Sequence, residues 1–95
     1  MPIVVGLCTL DLVIPEANSL KDKRSVVKSM LEGMRSKFNV SAAEVDNNDI
    51  WRRATVGVAC VSNSRQFADQ VLQKVVDWVE NNPRAYVSGV EMEFL

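Results

Sequence analysis

NVSAAEVDNNDIWRRATVGVACVS, residues 39–62, decides how this chain folds. Two runs, NVSAAEVD (39–46) and WRRATVGVACVS (51–62), carry the β-branched and small apolar residues of strands. Between them stands NND (47–49). Asn and Asp side chains hydrogen-bond their own backbone and favour turns. The stretch therefore reads as a strand hairpin.

On its N-terminal side lies a helix pattern. Leu20, Val27, Leu31, Met34 and Phe38 recur at steps of three and four, and Ser19 followed by Asp22 offers a capping box with a short arm. On its C-terminal side Ser62, Asn63 and Ser64 offer caps, and Phe67, Val71, Val75, Trp78 and Val79 mark a second amphipathic helix. Pro83 ends that helix, because its neighbour is kept out of the α region. IVVGLCTLDLVI (3–14) opens the chain as a long strand and AYVSGVEMEFL (85–95) closes it. The order is β-α-β-β-α-β, the α+β ferredoxin-like split βαβ. Right-handed crossovers put the first and third strands at the centre of a four-stranded antiparallel sheet, with two helices on one face. The 95 residues make a single domain, 1–95.

Alternation assigns the sheet faces. Val4, Cys8, Leu10, Leu12, Val56, Val58, Cys60, Val90, Met92 and Phe94 are expected to face the helices. Ile3, Val5, Leu7, Thr55, Gly57, Ala59, Val61 and Val87 then form the open face. It is small and apolar for a surface left in water, which points to a homodimer packed through that face. Leu72 and Val76 widen the apolar sector of the second helix and offer another surface for association.

Several chemistries lack their residues. The chain has no histidine, no CxxC pair and no glycine-rich phosphate loop. Acylphosphatases of this topology need an arginine-bearing loop after the first strand, and PEANS (15–19) has none. Cys8 and Cys60 sit in apolar runs and read as core residues. Glu44 with Asp46, and Glu91 with Glu93, alternate on strands as solvated faces do. The expectation is a protein without catalysis, cofactor or metal. No signal peptide or membrane-spanning run is found, so the expected compartment is the cytosol and no membrane partner is expected. A net charge of -1 argues against coating nucleic acid by bulk charge.

SLKDKRSVVKSM (19–30) poses a question, because Lys21, Lys23 and Arg24 sit where a helix prefers anions. Lys21, Arg24, Lys28 and Arg35 fall within about 60° of one another around the helix. One reading is ordinary: long cationic stems border the core with their heads in water. The other is functional. The fold gathers the start of this helix, the hairpin and the start of the last strand at one end. Lys21, Lys23, Arg24, Arg52, Arg53 and Arg84 would meet there beside Trp51, with Lys28 extending the nucleic-acid-binding set along the helix face and Glu16, Asp46 and Asp49 as partial counter-charges. Cations suit RNA phosphates and the ring can stack on an unpaired base. Trp51 either stands exposed for that role or closes the core over the hairpin. An RRM-like mode is excluded, since Thr55, Gly57, Ala59 and Val61 offer no ring on the open face.

SLKDKRSVVKSM, KFNVSAAEVDNNDIWRRATVGVACVSN and the closing EMEFL resemble the YlxP-like family of small bacterial proteins over essentially the whole chain. The shared positions are Ser19, Leu20, Lys21, Lys23, Arg24, Val45, Trp51 and Arg53. The resemblance implies a ferredoxin-like fold. It also implies genes near those of translation initiation and ribosome-binding factors, and through them a link to RNA or the ribosome. It supplies no catalytic residues. Asn47 and Asn48 stand where that family often carries His or Gln.

Overall fold

The computed structural model describes residues 2–95. It contains β1 (Val4–Val13), α1 (Leu20–Lys37), β2 (Ser41–Asp46), β3 (Arg53–Ser62), α2 (Arg65–Glu80) and β4 (Tyr86–Phe94). The strands form one antiparallel sheet in the order β2-β3-β1-β4, so β1 and β3 are central. This is the α+β ferredoxin-like arrangement. The third strand starts at Arg53 rather than at residue 51, because Trp51 and Arg52 belong to the turn. Ile50 N donates to Asn47 O at 3.1 Å within that turn.

Both helices cover one sheet face. Cys8, Leu10, Leu12, Ile14, Val56, Val58 and Cys60 pack there against Val26, Val27, Met30 and Met34 of α1 and Ala68, Leu72, Val75, Val76 and Val79 of α2. Full burial of a Leu or Ile side chain stabilises by roughly 1.5–3 kcal/mol. Cys8 and Cys60 are free and buried. Burial pushes the Cys8 thiol from 9.0 to about 11 and raises Cys60 as well. Both remain neutral, weakly nucleophilic thiols at physiological pH.

Four expectations from alternation or periodicity change. Phe67 is exposed, because the buried sector of α2 is centred on Ala68, Leu72 and Val79, about 120° away. Leu72 and Val76 are correspondingly buried, so they offer no surface for association. Val87 leaves the open face. The β1–β4 register shifts between Asp11 and Leu12, which puts Val87 opposite Leu12 and packs it on the core. Val90 faces the helix layer opposite Leu10 but stands exposed on this edge strand, while Val87, Met92 and Phe94 on either side of it pack on the core.

The helices meet at Gly33. A Cβ there would stand 2.5 Å from the Trp78 ring, closer than atoms can approach. That ring also meets Phe38 edge-on, with centroids 6.3 Å apart. A glycine in mid-helix costs about 1 kcal/mol relative to alanine. The close approach of Trp78 is what it permits. Gly33→Ala is expected to destabilise the protein despite its better helix propensity, by about 1–3 kcal/mol as for an overpacked core. A urea midpoint that rises instead would show that Trp78 can move aside.

Candidate functional site

The first turn of α1 begins with Ser19, whose side chain accepts from Asp22 N at 3.0 Å. The Asp22 carboxylate reaches back to Asn18 N at 3.1 Å. The first contact satisfies a backbone donor that the helix start leaves unpaired, and the second ties down the residue before the cap. Asp22 is also the anion that the positive helix end prefers. The neighbouring lysines are thereby tolerated at the same turn.

Lys23 is not a surface cation. Its side chain is fully buried, at 0% exposure. Nζ donates to Glu44 Oε2 at 2.6 Å, Asn47 O at 3.0 Å and Asn48 O at 3.0 Å. An ammonium has three donors, and here each meets an acceptor. Lys23 therefore drops out of the expected RNA-contacting set and becomes the tie between α1 and the β2–β3 hairpin. The physical reason is its angle on the helix. Lys23 lies four residues before Val27, seven before Met30 and eleven before Met34, in the middle of the buried stripe. That spacing was the signal in the sequence. Glu44 also departs from the solvated role expected of it. Glu44 points to the helix layer in regular alternation with Ala42, and the β2–β3 register shift after it puts only Asp46 of the pair on the open face.

The other cations are at the surface. Lys21, Arg24 and Lys28 are exposed on successive turns of α1. Arg24 Nη2 lies 3.5 Å from Asp49 Oδ1 of the hairpin, an exposed pair of small energetic weight. Trp51 is 52% exposed and does not close the core. Arg52 Nε donates to Ala17 O at 3.0 Å, and Ile14 N donates to Arg52 O at 2.9 Å. The hairpin is thus joined to the β1–α1 loop as well as to α1. Arg53, next in sequence, turns to the open sheet face opposite Val13. Arg84 shares a hollow of about 220 Å³ with Glu16 and Asp22. One end of the molecule therefore brings together α1, the hairpin and the start of β4. It carries Lys21, Arg24, Trp51 and Arg52, with Lys28 farther along α1 and Arg53 on the open sheet face. Among the described residues no group of three or more His, Cys, Asp or Glu side chains could hold a metal ion, and no helix is long and apolar enough to cross a membrane.

Comparison with known proteins places this architecture. The family model described as "Protein of unknown function (DUF503)" matches residues 5–92. The chain is 38% identical over 80 residues to the uncharacterized protein YlxP of Bacillus subtilis (strain 168), covering 84% of this chain and 87% of that one. Both findings bear out the resemblance carried by SLKDKR and by the hairpin strands.

Removing the Lys23 amine strands a half-buried carboxylate and two hairpin carbonyls. Lys23→Met is expected to lower unfolding free energy by roughly 3–5 kcal/mol, the cost of leaving a buried charge without its partner. Replacing Glu44 by Leu in the same chain is expected to recover part of the loss. Equilibrium urea unfolding of the single and double variants measures both. A single variant as stable as the parent would refute the structural role.

Proposed function

We propose that this chain, which belongs to the DUF503 family, is a non-catalytic cytoplasmic accessory protein that contacts RNA, alone or on the ribosome, through its basic end. The observation that carries the reading is the half-exposed Trp51 beside Arg52 and Arg53, on a hairpin held rigidly by buried Lys23. A large ring left in water costs burial energy that the core could have gained. Stacking on an unpaired base recovers it, while Lys21, Arg24 and Lys28 lie along the adjoining helix for the phosphates. Pre-ordering of the hairpin lowers the entropy lost on binding.

A second reading, a homodimeric interaction or small-ligand module without nucleic-acid binding, has its own support. The open sheet face holds an apolar groove of about 270 Å³ lined by Leu7, Ala43, Val45, Gly57 and Ala59. Val45 is 58% exposed along it, and Val61 is 67% exposed farther along the same face. A second copy of the chain packed face to face would cover both.

RNA binding through the basic end should weaken steeply with added salt, since neutralised phosphates release counterions. The triple variant Lys21→Ala, Arg24→Ala, Arg53→Ala is expected to flatten the log–log salt slope by about 2, at ~0.7 per lost single-strand phosphate contact. Trp51→Ala should cost about 1–3 kcal/mol for one stacked base. Unchanged binding by both variants overturns the reading. Face-to-face dimerisation is tested by Val5→Lys with Ala59→Lys, which should yield monomers in sedimentation. A parent protein already monomeric at micromolar concentration would sink the second reading.

A further inference from the structure

One row of the open sheet face brings two carboxylates together. It runs Asp46, Thr55, Asp11, Gly89 across the four strands. Farther along, the same face is Leu7, Ala43, Gly57 and Ala59 with Thr9 and Ser41, and its β4 edge carries single carboxylates at Glu91 and Glu93. Both edge strands break register at this row, β2 between Glu44 and Asp46 and β4 beside Gly89. Such irregularities re-aim side chains and concentrate next to functional sites. Asn47, immediately after the row, has φ 60, a left-handed conformation uncommon outside glycine.

The result is a built polar cluster. Asn47 Nδ2 donates to Thr55 Oγ1 at 2.8 Å, and the Thr55 hydroxyl donates to Asp11 Oδ1 at 3.0 Å. Thr55 itself is only 8% exposed. Ser88 Oγ donates to the Asp11 carbonyl at 3.2 Å. Asp46 Oδ1 is occupied by Asn47 N at 2.8 Å. Asp11 is thus oriented through one oxygen, while its Oδ2 receives no donor among the described residues. Gly89 keeps that oxygen open, since a Cβ there would stand 3.1 Å from it. Arg53 lines the same concavity of about 320 Å³ with Asp11, Asn47 and Ser88. Among the described residues it forms no ion pair.

We propose that this concavity receives the Watson–Crick edge of an unpaired guanine, an inference that rests on the RNA reading above. A carboxylate only accepts hydrogen bonds. Two carboxylates in the row repel a phosphate, so the part of an RNA that fits is a base edge rich in donors. Guanine presents two adjacent donors there, N1–H and the N2 amine. Adenine and cytosine each set one amine beside a ring acceptor, and uracil flanks its single N–H with two carbonyls. Guanine alone meets Asp11 with a donor for each oxygen. Arg53, unpaired and at the rim, then holds a phosphate of the same strand. Trp51, on the same hairpin, stacks a neighbouring base.

The test compares uridine-rich hexamers carrying one guanosine, inosine or adenosine, by fluorescence anisotropy across a salt series. Guanosine RNA is expected to bind about tenfold tighter than adenosine RNA, the discrimination typical of a bidentate contact. Inosine, which keeps N1–H but lacks the N2 amine, falls between. Asp11→Asn, which keeps an acceptor for Thr55 but turns a donor toward the base, removes the guanosine preference. Equal, salt-dependent binding of all three RNAs overturns the guanine site and leaves the basic end standing. A preference that survives Asp11→Asn also overturns it. Absence of binding to any of the three overturns the site together with the reading on which it rests.

Discussion

A buried ammonium governs how this domain is put together. Taking Lys23 out of water costs several kcal/mol, and only a complete set of acceptors offsets it. Glu44 and the carbonyls of Asn47 and Asn48 supply that set. These groups belong to β2 and to the loop after it, whereas Lys23 belongs to the first turn of α1. The requirement to satisfy one cation therefore fixes two distant segments against each other. Arg52 adds a second tie, from the far side of the hairpin to the β1–α1 loop. The tip that carries Ile50 and Trp51 is consequently an ordered projection with two exposed apolar side chains, although it is built from turn residues.

The sheet uses its irregularities in the same way. Glu44 points inward to Lys23 in step with Ala42, and a single register shift after it turns Asp46 outward to the open face. Without it, period-two alternation would hold both carboxylates on one side. The shift on β4 turns Val87 to the core and brings Ser88 and Gly89 around Asp11. Both shifts fall at one level of the sheet, and together they build the polar row on the open face. The open face is divided accordingly, apolar at Leu7, Ala43 and Ala59 and polar around Asp11 and Asp46, with Glu91 and Glu93 along its β4 edge. A partner of mixed character, such as a base with its sugar–phosphate, suits that boundary, and a second copy of the chain suits the apolar part.

Charge at the basic end is sparser than the count of Lys and Arg implies. Lys23 is consumed inside the fold, Arg24 stands near Asp49, and Arg84 shares its hollow with Glu16 and Asp22. Lys21, Lys28 and Arg53 remain without an ion pair among the described residues. A surface so modestly charged favours recognition by a few placed contacts over non-specific adsorption.

Local patterning was enough to determine the order of elements, the central position of β1 and β3, the Ser19 and Ser64 caps and most of the core. Periodicity, caps and turn residues are short-range signals, and crossover handedness leaves few ways to assemble them. The family, too, was legible in SLKDKR and the hairpin strands. Tertiary structure alone decided the side-chain fates that depend on a partner far away in sequence. Lys23 already stood on the apolar stripe, but its burial needed acceptors more than twenty residues distant. Trp51 could have closed the core or faced water, and the ties at Lys23 and Arg52 left it outside. Asp11, Thr55, Asn47 and Ser88 carry no motif, because strand pairing joins the first two and the register shifts on the edge strands bring the others beside them. A shift of one residue reverses which face a side chain occupies, and nothing within a single strand records it.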